Sequence, residues 1–280
     1  MDHLSRFYTY CPIPRSADAA GNLQECLRSD ARYGAEFLKL YPGFADKPLR
    51  VAFGDNTTRL ATPTIVKSRC IGDTNGVLLP LHQARHWSIT PAMVRAQDVP
   101  WHQKHMAVVW RGATTGKSRS EDFQKHPRTL LVQRWHDCQH QGIDVAYSQV
   151  VQGKKDLAPL VRNELSLREQ LQFALIVCVE GNDVATNLKW VLASNSVPVM
   201  PPPRYETWLL ESHLRPMIHY VPVRPDFEDL HIMLEWCRRN PERCKAIAAA
   251  GQRYVAPFFA DPRAEHRLAV QVLRRYLGEQ

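Results

Sequence analysis

The chain has 280 residues, 44% of them hydrophobic and 23% charged, a composition that builds a folded core and excludes disordered, collagen-like and low-complexity proteins. Its 36 Lys and Arg against 28 Asp and Glu leave a net +8 with histidine neutral. That balance opens phosphorylated ligands, polyanions and anionic membrane surfaces as partners, beside the plain alternative of a soluble protein with a basic surface.

At this length, one large domain or two of about 100 to 150 residues are expected. Cysteines at positions 11, 26, 70, 138, 178, 237 and 244 are scattered and form no CxxC pair, which argues against a disulfide scaffold or a zinc ribbon. The sequence opens Met1-Asp-His-Leu-Ser-Arg-Phe-Tyr, without an apolar stretch of signal-peptide length. The longest apolar run, Phe173 to Val179, falls well short of the roughly 20 residues that span a bilayer. The expectation is a cytoplasmic protein, with peripheral contact to the inner membrane left open.

In chain order, the first hundred residues mix helical patterns with strand-like runs. Leu49 to Phe53, Thr64-Ile-Val66 and Gly76 to Leu81 read as strands with polar turns at their carboxyl ends. A boundary is expected near Val99-Pro-Trp-His, because the alternation is cleaner beyond it. Met106 to Trp110 reads as a strand, Pro127 to Cys138 as a helix and Ile143 to Tyr147 as a strand. Ser166-Leu-Arg-Glu169 has the capping-box form and starts a helix that leads to Phe173–Val179, a run suited to a strand buried on both faces. Val184 to Ser194 is predicted as a helix, Ser196 to Met200 as a strand, Tyr205 to Ser212 as a helix and Ile218 to Val223 as a strand. Three helical stretches close the chain: Phe227 to Asn240, Pro241 to Phe258 and Ala264 to Leu277. Such alternation indicates an α/β fold with a parallel sheet.

In open α/β sheets, ligands bind beyond the carboxyl ends of the strands. Two such places stand out: Trp110-Arg111-Gly112, and Glu180-Gly181-Asn182-Asp183 leading into Val184 to Trp190. In the second, Gly181 permits a sharp turn, a helix start offers unpaired N–H groups, and Lys189 supplies a cation, a credible phosphate site. An ordinary capped helix with a surface lysine has the same pattern. The stretch Gly112-Ala-Thr-Thr-Gly116-Lys117-Ser118 looks superficially like a P-loop, but it has three residues between its glycines where the motif needs four. Thr114 to Ser120 is read instead as a flexible basic loop. No DxD or HExxH and no clustered His or Cys at ligand spacing occurs, so no metal is expected. The histidines, His82 and His86 among them, read as surface or packing residues.

Taken together, Trp110-Arg-Gly-Ala, Leu165-Ser-Leu-Arg-Glu-Gln-Leu, Glu180 to Trp190, Ser194-Asn-Ser-Val-Pro-Val-Met, Tyr205-Glu-Thr-Trp and His219-Tyr-Val-Pro-Val resemble glycosyltransferase family 90. The likeness is to its bacterial lipopolysaccharide-biosynthesis branch, with the protein O-glucosyltransferases and capsule-associated xylosyltransferases more distant. The resemblance runs from about Arg50 to the C-terminus. It implies a GT-B fold of two Rossmann-like domains facing a cleft: residues 1–100 on the acceptor side, with helix 264–280 packing back on them, and 101–263 holding the donor. It also implies inverting, metal-independent transfer of a hexose or pentose from a UDP-sugar to a hydroxyl of a surface glycan such as lipopolysaccharide core or capsule.

Without a metal, the departing diphosphate needs protein cations. Arg111 and Lys189 are the expected ones, with Gly112 and the Gly181 to Thr186 backbone beside them. Eukaryotic members carry Ser-x-Arg where this chain has Ala185-Thr186-Asn187, so their arginine does not carry over, while Asn187 can still donate a hydrogen bond. Glu180 and Glu206 are expected to bind ribose or sugar hydroxyls; dipole compensation at a helix start is the alternative for Glu206. Inversion needs a base, and Asp55 in Val51-Ala-Phe-Gly-Asp-Asn56-Thr57 stands where the relatives hold their catalytic Asp. The aromatic residue and Pro that follow it there are replaced here, and a simple Asp-Asn turn is the alternative. Lys67 and Arg69 are placed on the acceptor side, where an anionic acceptor would meet them. Two other readings stay open: an inactive donor-binding or scaffold homologue, and a basic nucleic-acid-binding protein, for which no recognition motif is found.

Overall fold

The computed structural model describes residues 23, 24, 27, 31–116, 124–152 and 154–279. Part of the expected basic loop, including Lys117 and Ser118, lies outside the described residues, as do Cys11 and Cys26. The elements in chain order are α1 (Ala31–Leu40), β1 (Val51–Ala52), β2 (Thr64–Val66), β3 (Ser68–Cys70), β4 (Gly76–Leu78), α2 (Gln83–His86), α3 (Pro91–Gln97), β5 (His105–Ala113), α4 (Pro127–Trp135), β6 (Ile143–Gln149), α5 (Leu167–Gln170) and β7 (Phe173–Val177). They continue with α6 (Leu188–Leu192), β8 (Val197–Met200), β9 (Tyr205–Thr207), β10 (Val221–Pro222), α7 (Leu230–Arg239), α8 (Pro241–Val255), α9 (Pro257–Ala260) and α10 (Pro262–Tyr276). Short 3-10 turns connect several of them.

The chain divides into two compact units: residues 1–88 with 204–212 and 257–280, and residues 89–203 with 213–256. In the second unit, a five-stranded sheet has the order β10-β8-β7-β5-β6 and every pairing is parallel. Numbered within the unit, that order is 2-1-3-4-5, a doubly wound arrangement whose direction of winding reverses between β5 and β7. The central strand β7 is buried along Ala174–Val177, because a parallel strand with both faces covered meets no water. Leu131, Val132 and Trp135 of α4 share one core cluster with Leu234 and Cys237 of α7 and Cys244 and Ile247 of α8. Each such fully buried aliphatic side chain contributes about 1.5 to 3 kcal/mol.

The first unit holds a three-stranded parallel sheet, β1-β2-β4, and an antiparallel pair, β3-β9. Its C-terminal helix α10 is capped by Asp261, whose carboxylate accepts from the N–H groups of Arg263 and Ala264, and it buries Leu268, Ala269, Val272, Leu273 and Tyr276 along one face. Tyr276 Oη donates to the Pro63 carbonyl at 3.0 Å, and Trp208 Nε1 to Glu265 at 2.6 Å. These bonds tie segments 257–280 and 204–212 into the unit despite their separation in sequence.

Two predicted helices are corrected. Tyr205 to Ser212 is not a helix: Tyr205–Thr207 is a strand paired with β3 in the register Arg69↔Glu206, followed by a 3-10 turn at Glu211–His213. Pairing with a strand more than a hundred residues away decides the conformation, and local periodicity carries no trace of it. The helix predicted over Val184 to Ser194 shrinks to Leu188–Leu192. Asn187 donates its side-chain amide to the Val177 carbonyl at 2.9 Å, so this polar residue serves the strand end instead of a helical turn. By contrast, the Ser166/Glu169 capping box forms as expected, starting a single turn, α5.

Candidate functional site

The winding reversal of the second unit puts the loops after β5 and β7 side by side, and one side chain joins them. Arg128, in the first turn of α4, donates to Ala113 O (2.9 Å) and Thr115 Oγ1 (2.5 Å) after β5, and to Val179 O (3.3 Å) and Glu180 O (3.2 Å) after β7. Its guanidinium carbon lies 5.6 Å from the centroid of the Trp110 ring, and the residue is only 9% exposed. A rigid planar fork suits this task, since it spans both loops at once.

Gly181 lets the loop after β7 pass close to these side chains, which a larger residue would push aside. A Cβ on it would come within 2.7 Å of both Arg128 Nη2 and Thr115 Oγ1. His126, the residue that caps α4, is bonded through Nε2 to the Gly181 carbonyl at 3.2 Å. Lys154 completes the edge: its ammonium donates to the carbonyls of Thr114 and Gly116, both at 3.0 Å. Partial burial, and then the nearby positive Arg128, lower the Lys154 pKa to about 8. Gln152 Nε2 donates to Asn182 Oδ1 at 3.2 Å on the same rim. Two basic side chains thus stand beside the loops that follow β5 and β7.

The expected donor residues are distributed as follows. Gly112 ends β5, Glu180 and Asn182 are half-buried on the loop after β7, and Asp183 is buried beside them. Gly181 to Thr186 is a loop, not the first turn of a helix, which begins only at Leu188. Thr186 is half-buried, and Asn187 is turned to the Val177 carbonyl. Lys189 is 2% exposed within the five-residue α6.

Arg111 is engaged elsewhere. Its Nη2 grips both Asp144 oxygens at 3.0 Å, while Nε and Nη1 donate to the carbonyls of Asn163, Trp110 and Asp144. The whole guanidinium fork is used to fasten β5 to its neighbourhood. The arginine beside the loops after β5 and β7 is Arg128. Sequence reasoning passed over it, although an arginine directly after a helix-starting proline, in the helix that follows the first strand of a doubly wound sheet, was a usable signal.

In the first unit, the carboxyl ends of the parallel strands gather a second group. Gly54, with φ +93°, turns the chain after β1 and presents Asp55, whose carboxylate pairs with Lys67 Nζ at 2.8 Å just beyond β2. Lys67 is 2% exposed, and the Asp55 side chain keeps 24% of its surface. Beside them the Asn56 side-chain nitrogen is buried with no hydrogen-bond partner among the described residues. His82 follows β4 along the same edge, with Tyr33 Oη 3.1 Å from its Nδ1.

Arg69 and Glu206 lie directly opposite on β3 and β9 and form a buried ion pair: Nη2 and Nε reach Glu206 Oε1 at 2.7 and 2.8 Å, and Arg69 Nη1 donates to Gly76 O at 2.7 Å. Ser212 donates to the other Glu206 oxygen. Glu206 was expected among the donor-binding residues; it belongs to the first unit and holds its strand pair. Among the described residues, no three His, Cys, Asp or Glu side chains converge to hold a metal, and no helix is long and apolar enough to cross a membrane.

The second unit is thus a doubly wound parallel sheet with Arg128 and Lys154 at its winding reversal, and the first unit ends its strands on an Asp-Lys pair. The family model for glycosyl transferase family 90 matches residues 79–261, and the chain belongs to that family. Among its relatives, the O-glucosyltransferase LpsA of Dichelobacter nodosus is 38% identical over 228 residues, covering 81% of this chain and 65% of the relative's own length. Protein O-glucosyltransferase 2 of Danio rerio is 28% identical over 199 residues, covering 69% of this chain and 39% of the relative. Protein O-glucosyltransferase 3 of Rattus norvegicus is 30% identical over 105 residues, 37% of this chain and 20% of that protein.

Proposed function

We propose that the chain is an inverting glycosyltransferase of GT-B architecture that moves a hexose or pentose from a UDP-sugar to a hydroxyl of a bacterial surface glycan such as lipopolysaccharide core or capsule. The observation that supports this reading is the pair of cations, Arg128 and Lys154, beside the loops after β5 and β7, at the winding reversal where doubly wound sheets commonly take their ligands. The O-glucosyltransferase names of the relatives support a sugar donor and make glucose the first sugar to test.

In this mechanism the acceptor oxygen attacks the anomeric carbon while Asp55 takes its proton, and the carbon–oxygen bond to the diphosphate breaks with its electron pair leaving on UDP. A positioned base of this kind typically supplies about a hundred- to ten-thousand-fold in rate. Lys67 holds the Asp55 carboxylate by its ion pair, so the base is fixed in orientation before substrate arrives. Charge that develops on the leaving diphosphate meets Lys154 and the Arg128-braced loops, and preorganised charge replaces the work a divalent metal would do. Gly112, Glu180, Gly181, Asn182 and Asp183 complete the donor-side rim, and Lys67 also serves the acceptor side. The enzyme works in the cytoplasm, where the +8 balance favours contact with anionic glycolipid at the inner membrane and needs no nucleic acid to explain it.

The test is a donor screen with purified protein, reading UDP release from UDP-glucose, UDP-galactose, UDP-xylose and their N-acetylated counterparts, with thermal shift by UDP alongside. Release from one donor, lost in Asp55→Asn while UDP still stabilises that variant, is the expected result. UDP binding with no release from any donor would favour an inactive homologue. Stabilisation by DNA or RNA and not by UDP would overturn the reading.

A further inference from the structure

His82 is built into the strand-end edge of the first unit with more care than a packing residue needs. It is a histidine in left-handed backbone conformation, φ 58° and ψ 50°, a geometry uncommon outside glycine although histidine adopts it more often than most residues. Glu36 of α1 holds it: the two carboxylate oxygens accept the backbone N–H groups of His82 and Gln83 at 2.5 and 2.7 Å.

The ring is held as firmly as the backbone. Tyr33 Oη lies 3.1 Å from Nδ1, and the Tyr33 and His82 rings pack at 4.8 Å. Tyr33 stacks in turn on Phe53 at 5.5 Å, and Phe53 stands two residues before Asp55. One aromatic column therefore links the Asp55 turn to His82. With Nδ1 committed to Tyr33, no described residue bonds Nε2, the nitrogen left to meet a ligand, and the half-buried residue keeps access to solvent.

We propose that His82 Nε2 binds an acceptor hydroxyl at the carboxyl edge of the β1-β2-β4 sheet and so positions the sugar that Asp55 deprotonates. This rests on the glycosyl-transfer reading and deepens it by naming a neutral hydrogen-bonding contact on the acceptor side. The groups that face the imidazole are Arg32, Tyr33 and Glu36 from α1, Arg85 and His86 on its own turn, and Lys67 beyond β2. Burial, and then the Arg85, Lys67 and Arg32 charges, push its pKa below the ordinary histidine value, while Glu36 opposes them. The lowered pKa favours the neutral ring, which keeps one acceptor nitrogen, so Nε2 bonds a hydroxyl as acceptor or donor according to the tautomer that Tyr33 holds at Nδ1.

The experiment uses the full chain, UDP-glucose and deacylated lipopolysaccharide core as acceptor probe, and compares wild type with His82→Gln and Tyr33→Phe from pH 5 to 9. For a lost neutral hydrogen bond, the acceptor KM is expected to rise about threefold to tenfold in His82→Gln, with the KM for UDP-glucose and the affinity for UDP unchanged. The acid limb of kcat/KM contributed by the histidine is expected to vanish in His82→Gln. Tyr33→Phe, which leaves the imidazole in place, is expected to shift that limb, so a misfolded His82→Gln does not shelter the proposal. A His82→Gln protein of wild-type melting temperature with unchanged acceptor KM and acid limb overturns it, as does an unmoved limb in Tyr33→Phe. Failure of the wild type to release UDP from any donor overturns the transfer reading itself and this proposal with it; release by the wild type beside an unaffected variant overturns this proposal alone.

Discussion

Replacing Arg128 by Met removes the brace between the loops after β5 and β7 while keeping an apolar stem for the Trp110 ring. The bonds to Ala113 O at 2.9 Å and Thr115 Oγ1 at 2.5 Å are the strong ones, and those to Glu180 O and Val179 O at 3.2 and 3.3 Å are marginal. A hydrogen bond from a charged donor contributes about 1.5 to 3 kcal/mol, so the two strong bonds set an upper range of about 3 to 6 kcal/mol. Relief from burying a guanidinium at 9% exposure offsets part of that, leaving an expected net loss of about 2 to 4 kcal/mol. For a folded unit of this size, about 2 to 4 °C per kcal/mol gives a fall of about 4 to 16 °C in melting temperature. Arg128→Lys keeps the charge but reaches only one loop, and is expected to lose about half as much. Thermal unfolding with and without UDP measures both effects, and UDP affinity should drop at least about tenfold in Arg128→Met as the loops lose their spacing. A melting temperature within about 1 °C of wild type would refute the brace, because no redistribution of these bonds hides a loss of that size. Equal behaviour of Arg128→Lys and wild type would show that charge alone matters.

In the proposed donor site, UDP affinity is expected to depend on pH through Lys154. Its folded pKa of about 8 lies below the free value, so the ammonium is lost as pH rises through 8, and UDP binding, which needs that charge, is expected to weaken between pH 7 and 9. Calorimetric titration across that range should give a flat profile for Lys154→Met, and a wild-type profile equally flat would remove Lys154 from the phosphate contact. In the first unit, Arg69→Met leaves Glu206 as a buried carboxylate without its cation, an expected cost of about 3 to 5 kcal/mol, while pairing it with Glu206→Leu should restore most of the stability. Denaturant unfolding decides between these outcomes, and a double variant no better than the single one would contradict the ion-pair account.

The parallel strands of the second unit were legible because their buried apolar runs are local signals: the runs Phe173 to Val179 and Ile143 to Tyr147 overlap the strands Phe173–Val177 and Ile143–Gln149. The strand-end turns with Asp55 and Gly181 were legible for the same reason, since glycine beside polar residues after an apolar run marks a turn wherever it occurs. The ion pairs of Arg111 and Glu206 were not legible, because a charged residue announces a charge and not its partner. Asp144 is 33 residues from Arg111 and Arg69 is 137 from Glu206, separations across which no local pattern speaks.

By itself the sequence determined the α/β class, the positions of most strands and the short list of polar strand ends, because periodicity and turn chemistry act within a few residues. Only the tertiary structure decided the winding order that brings the β5 and β7 loops together, and with it the bridging of those loops by Arg128. It also decided that Tyr205–Thr207 is a strand of the first unit, since β pairing is settled by a partner that folding, and not proximity in the chain, delivers.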